Sequence, residues 1–244
     1  MTQNIYDDQA FFDGYAQLGR SQFGLDGAPE WPSLKALLPD MKNARVVDLG
    51  CGYGWFCRAA REMGADDVLG LDVSEKMLDK ARSMTPDTVI RYERRDLETL
   101  TLPEASFNLA YSSLTLHYID ALPAMFRTVY QALEAGGDFV FSAEHPVYTA
   151  PSEPGWKLNG QGHKTWPVEG YQREGQRVTD WFAEGVIKQH RKLGTYINLL
   201  IEAGFVICHL DEWGPSAKQI AAYPDLAEEA ERPMLFLMSV RKPR

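Results

Sequence analysis

One short stretch carries residue types at a spacing that binding chemistry needs. Asp48 is followed by glycines at 50, 52 and 54, giving D-x-G-x-G-x-G, and a helical pattern opens at Trp55. Val46 to Leu49 read as a buried strand whose one polar position is Asp48. Gly50 permits a tight turn out of that strand, Gly52 lets backbone approach a ligand, and Gly54 lets the next helix pack close. Free N–H groups at the helix start point at whatever is bound. Trp55 stands where a dinucleotide fingerprint requires its third glycine, and a carboxylate at 48 repels a pyrophosphate. The turn therefore suits a phosphate-free ligand that carries an ammonium or sulfonium group.

The elements that must position this turn alternate strand and helix, the signature of a parallel sheet with right-handed crossovers. Strands are expected at 67–71, 89–92, 107–112 and 139–142, with helices at 55–63, from a cap at Ser74 to 83, and at 120–133 before Gly136-Gly137. A helix at 193–203 and strands at 205–210 and 234–240 close the chain. Residues 1–43 read as helical: Phe11, Phe12, Tyr15 and Leu18 form an apolar stripe within 7–18, and Pro32 opens a second helix from Trp31 to Leu38.

The chain has 244 residues, a net charge of −9 and an ordinary apolar share of 45%, which suits one domain with its own core. The acidic balance argues against nucleic-acid and anionic-membrane partners. Three scattered cysteines (Cys51, Cys57, Cys208) give no disulfide framework or zinc cluster and read as reduced thiols. With no apolar run near about 18 residues and no export signature at Met1, the expected location is the cytoplasm, as a monomer or homodimer.

The sequence D-L-G-C-G-Y-G resembles the first motif of the class I S-adenosylmethionine (SAM)-dependent methyltransferases. The detailed resemblance covers about residues 40–145, and the remainder matches as a layout. It implies a Rossmann-like, doubly wound α/β sheet of seven strands, mostly parallel with an antiparallel last strand, and SAM as cofactor. On this reading Asp48, Gly50, Cys51, Gly52 and Gly54 form the cofactor turn. Asp72 lies 22 residues beyond Gly50, at the end of the second strand, where it accepts from both ribose hydroxyls. Val73 and Met77 supply apolar contacts to adenine, Asp96 accepts from its amino group, and Leu97 lies beside the ring. Residues 107–118, including Ser112 and His117, face the sulfonium. The N-terminal helices are expected as a lid, with Tyr15 or Arg20 near the ligand's carboxylate. Asn108 replaces the family's common aspartate, and Leu133-Glu134-Ala135-Gly136-Gly137 lacks the proline of its L-x-P-G-G.

A SAM methyl is already activated, so the protein must mainly align the partners and exclude water. Transfer to an O or N atom of a small organic acceptor is the expected reaction, with a base where the acceptor must lose a proton. Base candidates lie at the carboxyl ends of strands four and five: His117, Glu144 and His145, with His190 reaching back from the start of a helix. His145 is the leading candidate, because a charged pair directly after an apolar strand is costly unless used. His163 and His209 read as surface residues. Glu144, His145 and His190 lack the i, i+4 spacing of helical metal ligands, so no metal is expected.

The interval 146–189 is too long for a crossover and is expected to be a substrate cap inserted after strand five. Trp156, Trp166, Tyr171, Trp181 and Phe182 would wall it, in a hairpin pairing 168–171 with 177–181 around Gly175. Arg173, Arg177, Lys188 or Arg191 would anchor an acidic group. A non-catalytic SAM-binding protein is the competing reading. A nicotinamide oxidoreductase is disfavoured by Trp55, by Asp48 and by the lack of a suitable Tyr-x-x-x-Lys pair.

Overall fold

A computed structural model describes residues 3–244. Five strands alternate with helices in the first half: β1 Arg45–Leu49, β2 Asp67–Asp72, β3 Ile90–Arg94, β4 Phe107–Ser113 and β5 Leu133–Glu144. The helices here are α1 Gln9–Tyr15, α2 Gly19–Gln22, α3 Trp31–Ala36, α4 Trp55–Glu62, α5 Glu75–Ser83 and α6 Leu122–Ala132. The second half adds α7 Pro146–Thr149, two short strands, β6 Lys157–Leu158 and β7 Lys164–Thr165, and the longer β8 Gly175–Trp181 and β9 Ala183–His190. It closes with α8 Leu193–Ala203, β10 Val206–Trp213, α9 Ala217–Ala222 and β11 Leu235–Arg241.

Seven strands form one sheet in the order β10-β11-β5-β4-β1-β2-β3. The strands from β3 to β5 pair in parallel, and β11 is antiparallel to both of its neighbours. This is the Rossmann-like, doubly wound arrangement expected. The order reverses between β1 and β4, and a crevice opens at the carboxyl ends of strands at such a switch point.

Each face of the sheet buries its own apolar cluster. One gathers Phe126, Phe139, Phe141, Tyr196 and Phe236 beneath α6 and α8. The other gathers Trp31, Leu34, Phe56, Leu78 and Tyr111 beneath α3, α4 and α5. Capping follows the sequence: Asp8 accepts from Phe11 N at 2.9 Å to start α1, and Ser74 accepts from Met77 N at 3.1 Å to start α5.

Three boundaries differ from expectation. Helix α6 stops at Ala132 because Leu133 is already extended, and Gly136-Gly137 lie inside β5, whose start pairs with Lys242 backbone at the edge. Strand 177–181 does not pair with 168–171. Its partner is β9, with Arg177 opposite Lys188 and Thr179 opposite Val186. Residues 170–173 instead form a turn whose carbonyls accept from the Arg177 guanidinium. The inward positions of β9 are Val186, Lys188 and His190, so two polar residues disguise its alternation. His190 consequently ends a strand and does not begin a helix.

Candidate active site

The glycine turn divides its labour by what each missing Cβ would meet. All three glycines take positive φ. A Cβ on Gly50 would lie 2.2 Å from Thr115 Oγ1, and one on Gly54 2.1 Å from the Tyr92 hydroxyl. Gly52 meets no atom within 4 Å, so its bare backbone faces open space. Backbone N–H groups of Gly50 and Cys51 donate to Leu71 O at 2.8 and 2.9 Å, tying the turn to the end of β2.

That open space belongs to a cavity of ≈ 360 Å³ running across the carboxyl ends from β3 to β5. Asp72 stands in it, accepting from Gly52 N and Ser74 N, each at 2.9 Å. Burial raises its carboxyl to about 6 despite those donors. Asp48 is 2% exposed, receives the Cys57 thiol at 3.3 Å, and is pushed by burial to about 7. Val73, Met77, Asp96 and Leu97 line the same side of the cavity, together with Cys51. Arg20 and Tyr15 also line it, and Arg20 is paired at 3.0 Å with the buried Glu30. The N-terminal segment is fastened above: Asp7 accepts from Ser74 Oγ at 2.6 Å, and Gln3 bridges Gly185 O and Ile187 N of the β8–β9 hairpin at 2.8 Å each.

Toward β4 and β5 the lining changes to Tyr6, Tyr118, Ile119, His117, Glu144 and Trp181. The Tyr6 ring meets Tyr15 and Tyr118 edge-on, at 5.4 and 6.1 Å between centroids. His117 Nδ1 accepts the Glu144 N–H at 3.3 Å, which places a neutral ring's proton on Nε2, 3.9 Å from Glu144 Oε1. Burial depresses His117 to about 4, so the ring is neutral at pH 7. Lys188 Nζ sits 2.5 Å from Glu144 Oε1. Burial pushes the Glu144 carboxyl upward, but its His117 and Lys188 neighbours outweigh that and hold it below the usual range. With His117 neutral, the Lys188 ammonium is the partner that keeps Glu144 ionised. Glu144 Oε2 is buried with no hydrogen-bond partner among the described residues.

Several expected site residues fall elsewhere. His145 does not line the cavity. Its Nδ1 caps α7 by accepting from Val147 N at 3.0 Å, and its Nε2 meets Glu212 at 2.8 Å, so both nitrogens are engaged in holding the chain. His190 is likewise outside, bonded to Thr149 Oγ1 at 2.8 Å and Tyr171 O at 2.9 Å. Ser112 is buried beneath the cavity and donates to Leu49 O at 2.8 Å, while Ser113 lines it instead. Gly54 packs against Tyr92 and does not reach the cavity. Of the four basic residues expected to anchor an acid, Arg173 and Arg177 lie outside the lining, Arg191 donates to Asp120 O, and Lys188 is held by Glu144. Trp181 lines the cavity, whereas Trp156 and Trp166 pack with Tyr148 around the Arg232 guanidinium.

Tyr6, Glu30 and the Glu144–Lys188 pairing are absent from the sequence reading. No local signal distinguishes them: the inward Lys188 and His190 hide the alternation of 183–190, and nothing marks Tyr6 or Glu30.

Comparison with known proteins agrees with this geometry. Residues 47–141 match the methyltransferase domain family model. A crystal structure of an S-adenosylmethionine-dependent methyltransferase from Mesorhizobium loti is 58% identical with a TM-score of 0.87, over 89% of this chain and all of that one. An uncharacterised protein of Haemophilus influenzae is 32% identical over 98% of this chain and 97% of its own length. A malonyl-[acyl-carrier protein] O-methyltransferase of Enterobacter lignolyticus is 36% identical over 45% of this chain, and the match spans under half, 43%, of that relative. The glycine turn, the acidic strand end at Asp72, the seven-stranded sheet and these similarities place the chain in the class I SAM-dependent methyltransferase family, with SAM as its cofactor.

Proposed function

We propose that this protein transfers the methyl group of SAM to an oxygen or nitrogen atom of a small organic molecule. The observation that carries this reading is one continuous cavity with Asp72 and the Gly52 backbone on one side and Glu144 and His117 on the other. The residues present fit the cofactor. Asp72 offers carboxylate oxygens to ribose hydroxyls, and Val73, Met77 and Leu97 offer apolar surface to adenine beside Asp96. Gly52 leaves room for close approach, Arg20 and Tyr15 stand ready for a carboxylate, and Asp48 lies where positive charge is welcome.

Bound SAM supplies a methyl activated by its sulfonium; the protein supplies position and dryness. Orientation alone is worth roughly 7–11 kcal/mol when donor and acceptor are held in line. The N-terminal segment serves as lid and the β8–β9 hairpin as cap, joined through Gln3, so that water is kept from the reacting atoms. Glu144 Oε2 is the base that receives the acceptor's proton, a role worth about 10²–10⁴ in rate. His117 orients Glu144 through its backbone N–H, and Lys188 keeps the carboxylate ionised.

The reading is tested by calorimetry and by turnover. S-adenosylhomocysteine should bind and NAD should not, and Asp72→Ala should weaken S-adenosylhomocysteine binding by about 1–3 kcal/mol. Incubation with SAM and a metabolite library should release S-adenosylhomocysteine with at least one O–H or N–H compound. Tighter binding of NAD, or no release with any compound, overturns it.

A further inference from the structure

The acceptor side of the cavity constrains the charge and shape of what it takes. Its walls are rings: Tyr6, Tyr118 and Trp181. Among the described residues, the basic side chains in the cavity lining are Arg20 and His117. Arg20 is paired with Glu30 at 3.0 Å and, on the reading above, faces the cofactor's own carboxylate, and His117 is an uncharged ring. An acceptor bearing a carboxylate or phosphate would therefore meet the Glu144 carboxylate with no free cation to offset it.

A cationic acceptor fares no better. The Lys188 ammonium already balances Glu144 and lies 5.0 Å from the Trp181 ring centre and 5.9 Å from that of Tyr118. The carboxylate, and one face each of Trp181 and Tyr118, that would recognise an ammonium ligand are thus occupied by the protein's own. Toward β4 and β5 the site leaves one demand unmet: Glu144 Oε2, on a side chain that lines the cavity, accepts from nothing among the described residues, whereas the other orphan of the lining, Trp55 Nε1, is a donor at the glycine turn. An orphaned acceptor of this kind favours a ligand that brings a donor.

Resting on the methyl-transfer reading above, we infer that the acceptor is an uncharged aromatic molecule whose O–H or N–H donates to Glu144 Oε2. The rings of Tyr6, Tyr118 and Trp181 hold its faces, and the Glu144–Lys188 pair rejects both charged alternatives.

The test uses four probes of one size: phenol, anisole, benzoate and benzylammonium. Each is titrated by ligand-detected NMR into protein saturated with S-adenosylhomocysteine. Phenol should bind tightest, with anisole, which lacks the donor, about tenfold weaker. Benzoate and benzylammonium should bind no better than anisole. In Lys188→Met the freed carboxylate and ring faces should tighten benzylammonium by about tenfold, past phenol. The four-probe order is read on the unmodified protein and so does not depend on that variant folding. Benzoate or benzylammonium matching phenol, anisole matching phenol, or binding by none of the four at millimolar concentration overturns the inference. Failure to bind S-adenosylhomocysteine brings down the methyl-transfer reading and this inference with it, whereas the wrong probe order in loaded protein brings down this inference alone.

Discussion

The two sides of the cavity, which we assign to cofactor and acceptor, are built by different means. The first is made from consecutive strand ends between Asp48 and Leu97, and its polar contacts run through backbone: Gly52 N and Ser74 N on Asp72, Gly50 N and Cys51 N on Leu71 O. The second is assembled from distant parts of the chain through side chains. Lys188 reaches Glu144 across 44 residues, and Gln3 reaches Gly185 across 182. Backbone geometry at a turn tolerates few residue types but needs no partner elsewhere. A buried side-chain pair accepts many sequences around it yet fails when either member is lost. One cavity thus joins a rigid, locally specified half to an adjustable half assembled from distant side chains.

The largest effect is expected at the rigid half. Gly50→Ala adds left-handed strain of about 1–3 kcal/mol to overpacking against Thr115 of about 1–3 kcal/mol. Urea unfolding should therefore show a loss of about 2–6 kcal/mol, the sum of those two costs. Gly52→Ala, with nothing near its Cβ, should lose only about 1–2 kcal/mol of stability. Its damage should appear in calorimetry, as S-adenosylhomocysteine affinity reduced by at least about tenfold. Equal stability losses in the two variants would erase the distinction between packing glycine and binding glycine.

The adjustable half should respond through its ion pair. Lys188→Met leaves the Glu144 carboxylate uncompensated and should cost about 3 kcal/mol, near the low end for buried pairs because Glu144 opens on the cavity. The double variant Lys188→Met, Glu144→Gln should recover most of that loss. A double variant no more stable than Lys188→Met would mean that the two residues are not coupled.

The two halves should also differ in their response to pH. Asp48 and Asp72 are raised in the folded protein to about 7 and about 6, above their unfolded values. For such groups the folded state binds more protons between the two pKa values. Their contribution to stability is complete below the unfolded pKa and is lost as pH rises through the folded one. Asp48→Asn should thus be more stable than the parent at about pH 8 and gain nothing at about pH 4, a difference of a few kcal/mol in ligand-free melts. Cofactor binding runs the other way. Ribose hydroxyls prefer the ionised Asp72, so S-adenosylhomocysteine affinity should fall as pH drops below about 6. An affinity that is flat across that range would remove Asp72 from the ribose site.

The smallest effect is expected at His145, which the sequence nominated as the base. Its ring caps α7 and meets the exposed Glu212, so His145→Ala should lose about 1 kcal/mol of stability and leave turnover and cofactor affinity unchanged. His145→Asn, which retains a capping oxygen, should restore most of that loss. A collapse of turnover in the stable Asn variant would return the histidine to the chemistry.

The sequence by itself determined which residues meet on the glycine-turn side of the cavity. The glycines at 50, 52 and 54 satisfy positive φ, a requirement that residue type alone declares. Asp72 was legible because a strand end and a fixed distance from the turn place it, and Val73, Met77 and Leu97 follow by chain continuity. The sheet was legible for a related reason, since apolar runs and turn signals alternate with the period of βα units. Even there Ser112 was misplaced by one position, because side chains on a strand point alternately to opposite faces, and Ser113 is the residue turned toward the cavity.

Only the tertiary structure decided the acceptor half. Three histidines and a carboxylate after or at the ends of β4, β5 and β9 look alike in sequence, and their roles depend on which neighbour consumes each polar atom. His145 and His190 have both nitrogens spent on the fold, while Glu144, which lines the cavity, keeps one oxygen unspent. Lys188 and His190 occupy inward positions of β9 where apolar residues are the norm, so the strand that carries them cannot be read from periodicity. The physical reason is common to all of these: a hydrogen bond or ion pair between residues far apart in the chain leaves no mark on the local sequence of either partner.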